Sequence, residues 1–209
     1  MKTHLKSGHP AMKILAGLGN PGDQYYETRH NAGFRVIDLL ATIDGTSENF
    51  QTKKFAFSAA VCQFKKVKIQ QHEVLLLKPL NYMNLSGVGI KAALNWFKLK
   101  QNDLLVIHDE VSLPLGKIRI QEKAGAGGQH GVENIIEQLG NNQFARLRIG
   151  VGPDPGGDRR ADYVLGKFPD KDRDQYQKVL QTSVEAAKYW LGNGTLKSAN
   201  IYNGLEIVS

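Results

Sequence analysis

Short apolar runs alternate with apolar positions at helical spacing along this chain, and the two periods together outline strands followed by helices. Ile14 to Leu18 is apolar and predicts a strand. From Thr28 or Asn31 onward, Phe34, Ile37, Leu40 and Ala41 recur at helical spacing, so a helix follows. Phe55 to Phe64, Val67 to Gln70 and Val74 to Leu77 predict further strands with polar turns between them, and Lys78-Pro79 ends the last. Asn84 or Ser86 offers a cap for a helix through Ile90, Ala93, Leu94 and Phe97. Leu104 to Ile107 is apolar at every position, the pattern of a central strand covered on both faces.

In the second half, Ile118 and Ile120 alternate with Lys117, Arg119 and Gln121, which predicts a strand with one charged, solvent-facing side. A glycine-rich loop, Ala124 to Gly131, leads into a helix through Ile135, Ile136 and Leu139, and Leu147 to Val151 is another strand. A loop rich in Pro, Gly and Asp, Gly152 to Asp158, precedes a helix of about five turns ending near Leu191. A short helix then spans Thr195 to Tyr202. No composition break, repeat or low-complexity linker interrupts the alternation. The expected fold is a single α/β domain over residues 12–209, with a mixed, mostly parallel twisted sheet and helices on both faces. Residues 1–11 are polar, carry Pro10 and precede Met12, and are expected to be a flexible leader, native or appended.

Composition narrows the function classes. A chain of 209 residues, 41% hydrophobic and 22% charged, is long enough for a full core and has the balance of a soluble domain. It has no apolar stretch near the roughly 18 to 20 residues that cross a bilayer and no signal-peptide core at its start. Cys62 has no partner for an internal disulfide and fits a reducing cytoplasm. The net charge of +7 fits an anionic partner without establishing nucleic acid as that partner.

Candidate chemistry gathers at predicted strand ends. Gly17-Leu18-Gly19-Asn20-Pro21-Gly22 matches the dinucleotide pattern G-x-G-x-x-G, but Pro21-Gly22 is a turn dipeptide and helical spacing starts only later. The pyrophosphate would then have no helix N-terminus to face, so the match is read as accidental. Asn20 and His30 flank that turn. An imidazole takes a proton near neutral pH, and an amide holds a polar group without titrating. A core or capping histidine and a turn asparagine are the plain alternatives. Asp109 ends the Leu104 run, where a carboxylate can orient an imidazole or merely form a turn. His108, Asp109 and Glu110 do not suit a metal, because successive strand side chains point to opposite faces. No serine lies in G-x-S-x-G, so water activated by a base is the expected route for any hydrolysis. The glycine-rich loop either lets a substrate backbone come close or is an ordinary connection.

Taken together, Leu15 to Gly33, Lys78 to Gly87, Ile107 to Gly116, Gly125 to Gly131 and Gly140 to Gly152 resemble the bacterial-type peptidyl-tRNA hydrolase family, in family order and over about Met12 to Tyr202. The resemblance implies cleavage of the ester joining a peptide to the 3′ end of tRNA, without metal or cofactor, by a cytoplasmic monomer. It implies that His30 is the catalytic base, that Asp109 supports it, and that Asn20 favours substrates with a blocked amino group. Asn84 matches a substrate-binding asparagine, and Tyr25 and Tyr82 fall at substrate-contacting positions. Arg119 and Arg148 resemble the family's tRNA-phosphate contacts, with Lys117 and Lys123 nearby. Two departures stand out. Gln129-His130-Gly131 has His130 where the family commonly has asparagine, which puts that position's substrate-binding or water-holding role in doubt, and Gln121 replaces a basic residue. The alternatives are an RNA-binding relative that does not cut, and a nucleotide-dependent enzyme built on Gly17 to Gly22.

Overall fold

The computed structural model describes residues 12–208 apart from Asp44, Thr46, Ser47 and Phe57. The leader expected over residues 1–11 lies outside them. Seven strands form one sheet: β1 (Lys13–Gly17), β2 (Gln51–Lys54), β3 (Val61–Ile69), β4 (His72–Pro79), β5 (Leu104–Pro114), β6 (Ile118–Gln121) and β7 (Ala145–Gly152), in the order β2-β3-β4-β1-β5-β7-β6. The four central strands β4, β1, β5 and β7 run parallel, and β3 and β6 pair antiparallel with their neighbours. The expected mixed, mostly parallel sheet is what forms.

The helices are α1 (Ala32–Leu40), α2 (Ser86–Phe97), α3 (His130–Leu139), α4 (Arg159–Leu165) and α5 (Arg173–Tyr202). Alternation along the strands divides the core in two. Leu15, Leu105, Ile107, Leu147 and Ile149 face the apolar stripes of α1 and α5, while Ile14, Ala16, Val106 and Leu75 face α2 and α3. Helices therefore cover both faces, and Leu104 to Ile107 is completely buried, as its unbroken apolar run predicts.

Four local expectations are corrected. Phe55, Ala56 and Ser58 to Ala60 are not strand: Phe55 N–H donates to the Ala60 carbonyl at 3.0 Å, closing the turn between β2 and β3. The outer strand is instead the polar Gln51–Lys54, which hydrophobic patterning cannot reveal because it buries little. Val67 to Ile69 is not a separate strand but the end of β3, whose Lys66 and Lys68 point outward, and Gln70 lies in the turn that follows. Neither Asn84 nor Ser86 caps α2: Ser86 is its first residue, and its hydroxyl donates to the Met83 carbonyl at 2.8 Å. The short α4 within the loop region was not expected. The final two helices form one continuous element broken at Gly194 (φ 72°), so Thr195 to Tyr202 is set off as the sequence predicts.

The free edge of β6 is closed by a side chain. Asn203 accepts from the Ile120 N–H at 2.7 Å and donates to the Ile120 carbonyl at 3.0 Å, imitating a neighbouring strand. At the centre, α1 comes unusually close to the sheet. A Cβ on Gly33 would lie 2.2 Å from the Ile107 carbonyl oxygen, and one on Gly17 would lie 2.3 Å from the Gly33 carbonyl oxygen. Both neighbours are backbone in buried elements and cannot yield cheaply. Gly33→Ala is expected to cost about 3 kcal/mol by overpacking, lowering the thermal midpoint by roughly 10 °C for a chain of this size in calorimetry.

Candidate active site

The carboxyl ends of the parallel strands, where open α/β sheets gather ligands, carry the candidate residues. After β1 the chain turns through Pro21-Gly22 and two short 3-10 turns, Asp23–Tyr25 and Arg29–Asn31, before α1 begins. α1 starts only at Ala32, and in its first turn the Phe34 N–H is already used on the Leu18 carbonyl at 3.2 Å, while Gly17 packs against Gly33; the helix start is filled by the strand end rather than open to a phosphate, and the nucleotide reading has no geometric support. The second turn puts His30 over Asp109, which does not end its strand as expected: β5 pairs with β1 only as far as Ile107 but runs on to Pro114. Its Nδ1 lies 2.9 Å from Asp109 Oδ2, with both side chains buried. A carboxylate only accepts, so Nδ1 carries the proton and Nε2 is left as the basic nitrogen.

Burial alone would lower the His30 pKa, but the charge and hydrogen bond of Asp109 carry it above the ordinary value. Burial would raise Asp109, but the charge and hydrogen bond of His30, with a hydrogen bond from Gln129, hold it below the usual carboxylate range. His108, one residue away, is buried and pushed down to about 4, so it stays neutral; its Nδ1 lies 2.7 Å from the Asp109 carbonyl oxygen. The two neighbouring histidines thus titrate on opposite sides of the free value.

Asn20 is held by two partners. Asn31 Oδ1 accepts from the Asn20 backbone N–H at 2.8 Å, and Asn31 Nδ2 donates to the Asn20 carbonyl at 3.0 Å. Asn20 Oδ1 accepts from the Met83 backbone N–H at 2.8 Å. Its oxygen is thereby committed, which leaves the NH2 group as the donor available to a ligand. Asn31 was foreseen only as a helix start; its buried clamp on Asn20 emerges only once the two turns are folded together.

Asn20, His30, Asp109, Glu110, Gly127, Gly128, Gln129 and His130 line a cleft of about 240 Å3, closed on its far side by Val111, Arg160, Ala161, Val164 and Leu165. The glycine-rich loop is therefore part of the wall, with Gly127 and Gly128 at φ 65° and 82°. His130 is exposed and pairs with Glu133 at 3.0 Å. Asn84 is exposed on the turn Met83–Leu85, beside the segment that Asn20 holds but outside the cleft lining. Tyr82, 56% exposed, precedes it, and Tyr25 is half-buried in the first 3-10 turn. Apolar Val111, Val164 and Leu165 and the non-titrating Gln129 were missed; α4 has no long apolar period to announce it.

Arg119 and Arg148 face each other across β6 and β7. Arg119 is exposed, whereas Arg148 donates from Nε and Nη2 to Glu110 Oε2 at 2.9 and 2.6 Å. Among the described residues, no cluster of His, Cys, Asp and Glu converges to hold a metal ion, and no helix is long and apolar enough to cross a membrane.

A histidine oriented by a buried carboxylate at the top of an α/β sheet, facing a cleft with a free amide donor, is an arrangement able to serve general-base chemistry. Residues 14–208 match the sequence model of the family described as Peptidyl-tRNA hydrolase. Peptidyl-tRNA hydrolases of Desulforamulus reducens (45% identical, covering 92% of this chain and 89% of the relative) and Thermotoga petrophila (40%, covering 93% and 98%) are similar in sequence. The crystal structure of the Acinetobacter baumannii peptidyl-tRNA hydrolase superposes with a TM-score of 0.83 at 29% identity, covering 97% of this chain and all of that one. The chain belongs to the peptidyl-tRNA hydrolase family.

Since the folded His30 pKa lies above the free value of 6.5, its bond to Asp109 adds stability that is full below that pH and is lost as pH rises through the raised value. Imidazole NMR is expected to give a His30 midpoint above 6.5 in the wild type. In Asp109→Asn, where burial acts alone, the midpoint should fall below 6.5.

Proposed function

We propose that this chain hydrolyses the ester between a peptide and the 3′ end of tRNA, with His30 as the base that activates water. The observation that carries this reading is the buried His30–Asp109 pair, whose Nε2 is left free to take a proton. An ester to a ribose hydroxyl has a good leaving group, so a positioned hydroxide equivalent is sufficient and no covalent intermediate is invoked. Asp109 holds the tautomer and stabilises the imidazolium formed when water is deprotonated; that proton then goes to the leaving 3′ oxygen.

Asn20 reads the amino end of the substrate. With Oδ1 engaged by Met83, its NH2 donates to the carbonyl that blocks a peptide's amino group and repels the ammonium of an unblocked aminoacyl-tRNA. Asn84, Tyr25 and Tyr82 contribute contacts at the rim, and His130 meets the substrate from the start of α3. Arg119 and Arg148, on the α3 side of the sheet, meet tRNA phosphates, and Arg119 is the less committed of the two. The buried, unpaired Cys62 supports a cytoplasmic setting. A site assembled within one chain supports action as a monomer.

His30→Ala is expected to slow release of tRNA from an N-blocked aminoacyl-tRNA by at least about a hundred-fold while the chain stays folded, its thermal midpoint lowered by a few degrees because buried Asp109 loses a donor; near-normal turnover would remove His30 as the base. Asn20→Asp is expected to erode the preference for blocked over free aminoacyl-tRNA, measured as the ratio of kcat/KM for the two substrates, by roughly ten-fold.

A further inference from the structure

We propose that Gln129 is a positioning residue for the reaction, one that fixes the Asp109 carboxylate beneath His30 and makes the basicity of His30 depend on where the start of α3 sits. The inference rests on the reading of His30 as the base.

Gln129 is buried at the N-cap of α3, and both ends of its amide are committed. Oε1 accepts from the Val132 backbone N–H at 2.8 Å, capping the helix. That bond settles the orientation of the amide, because a backbone N–H only donates. Nε2 must then face the other way, and it donates to Asp109 Oδ1 at 3.1 Å, with Met83 Sδ 3.2 Å away. Asp109 therefore has a separate donor for each oxygen, Gln129 on Oδ1 and His30 on Oδ2. With one donor on each oxygen, the carboxylate's charge is shared between the amide and the imidazole.

The surroundings are built for this bridge. A Cβ on Gly131 would come within 2.5 Å of Met83 Sδ and 3.0 Å of Gln129 Oε1, so the bare backbone there leaves the room in which Gln129 and Met83 meet. Met83 N–H in turn bonds Asn20 Oδ1. Gln129 thus touches the segment that orients Asn20 as well as the acid that orients His30.

The amide does this without carrying charge. Its N–H stabilises ionised Asp109 and shares in satisfying it, so Asp109 pulls less strongly on the His30 proton than a carboxylate with one donor would. The charged, titratable and polar groups around His30 are Asp109, and through it Gln129 and neutral His108, with Glu110, His130 and Arg160 lining the same cleft; Glu110 is turned to Arg148, His130 to Glu133 and Arg160 to Asp154. Removing the Gln129 donor raises the His30 pKa further and leaves less free base at a given pH.

The test is the His30 midpoint by imidazole NMR, together with the acid limb of the kcat–pH profile on N-blocked aminoacyl-tRNA, in the wild type, Gln129→Met and Gln129→Ser. Gln129→Met removes both bonds. Gln129→Ser keeps a neutral N-cap acceptor for the Val132 N–H and is too short to reach Asp109 Oδ1. The proposal expects the midpoint and the acid limb to move up together by about one pH unit in both variants. If Gln129 only caps α3, Gln129→Met loses stability while the midpoint stays at the wild-type value, and Gln129→Ser leaves the midpoint there too; that result overturns the proposal. Should Gln129→Met not fold, Gln129→Ser decides alone. A wild-type protein that releases no tRNA would defeat the ester-hydrolase reading, and the NMR midpoints would still decide the coupling.

Discussion

Everything at the carboxyl edge of the sheet depends on how closely the first turn of α1 lies against β1 and β5. With bare backbone at Gly17 and Gly33, the helix start sits where any Cβ would overlap a carbonyl oxygen. That contact sets the height of the preceding turn, and so of His30, above β5. Asp109 arrives there from 79 residues later, and the two meet at 2.9 Å. The clamp of Asn31 on the Asn20 backbone fixes the other rim by the same short segment. A few tenths of an ångström of swelling at the glycines would loosen base and amide together.

β5 does two electrostatic jobs at Asp109 and Glu110 because successive side chains alternate. Asp109 turns to the α1 side and tunes an imidazole; Glu110 turns to the α3 side and holds Arg148. The chemistry and the cationic surface are thus separated by the thickness of one strand, although they differ by one position in sequence. His108 and Arg146, buried beside Arg148, are kept from competing, the first by losing its charge through burial and the second by donating to the Gly125 carbonyl at 2.8 Å.

How much of this could be read from the chain differs by element. Strong periods gave β1, β4, β7, α1, α3 and α5 to within a few residues, since each buries a continuous apolar face; for β5 they gave only the buried start, Leu104 to Ile107, because the polar stretch on to Pro114 carries no apolar run. β2 and α4 escaped because neither depends on such a face: β2 is polar and α4 is seven residues long. His30, Asp109 and Asn20 could be singled out as groups at expected strand ends, and family motifs supplied their roles. Gln129 and Asn31 could not, because a non-titrating amide announces nothing until its two partners are known. Asn84 illustrates the converse. Its motif is clear, yet the structure leaves it exposed and outside the lining of the cleft.

The two sheet edges bear on how the protein behaves in a crowded solution. An open strand edge is a row of unpaired N–H and C=O groups that can recruit another chain. On β6 the Asn203 amide already occupies that position, so an incoming strand would have to displace an internal bond pair. On β2 the edge is only four residues long and ends in Lys53 and Lys54, whose charges would face their own copies in parallel edge-to-edge pairing. Resistance to aggregation therefore comes from a substitute strand at one end of the sheet and from charge repulsion at the other, and only the second should weaken as salt is added.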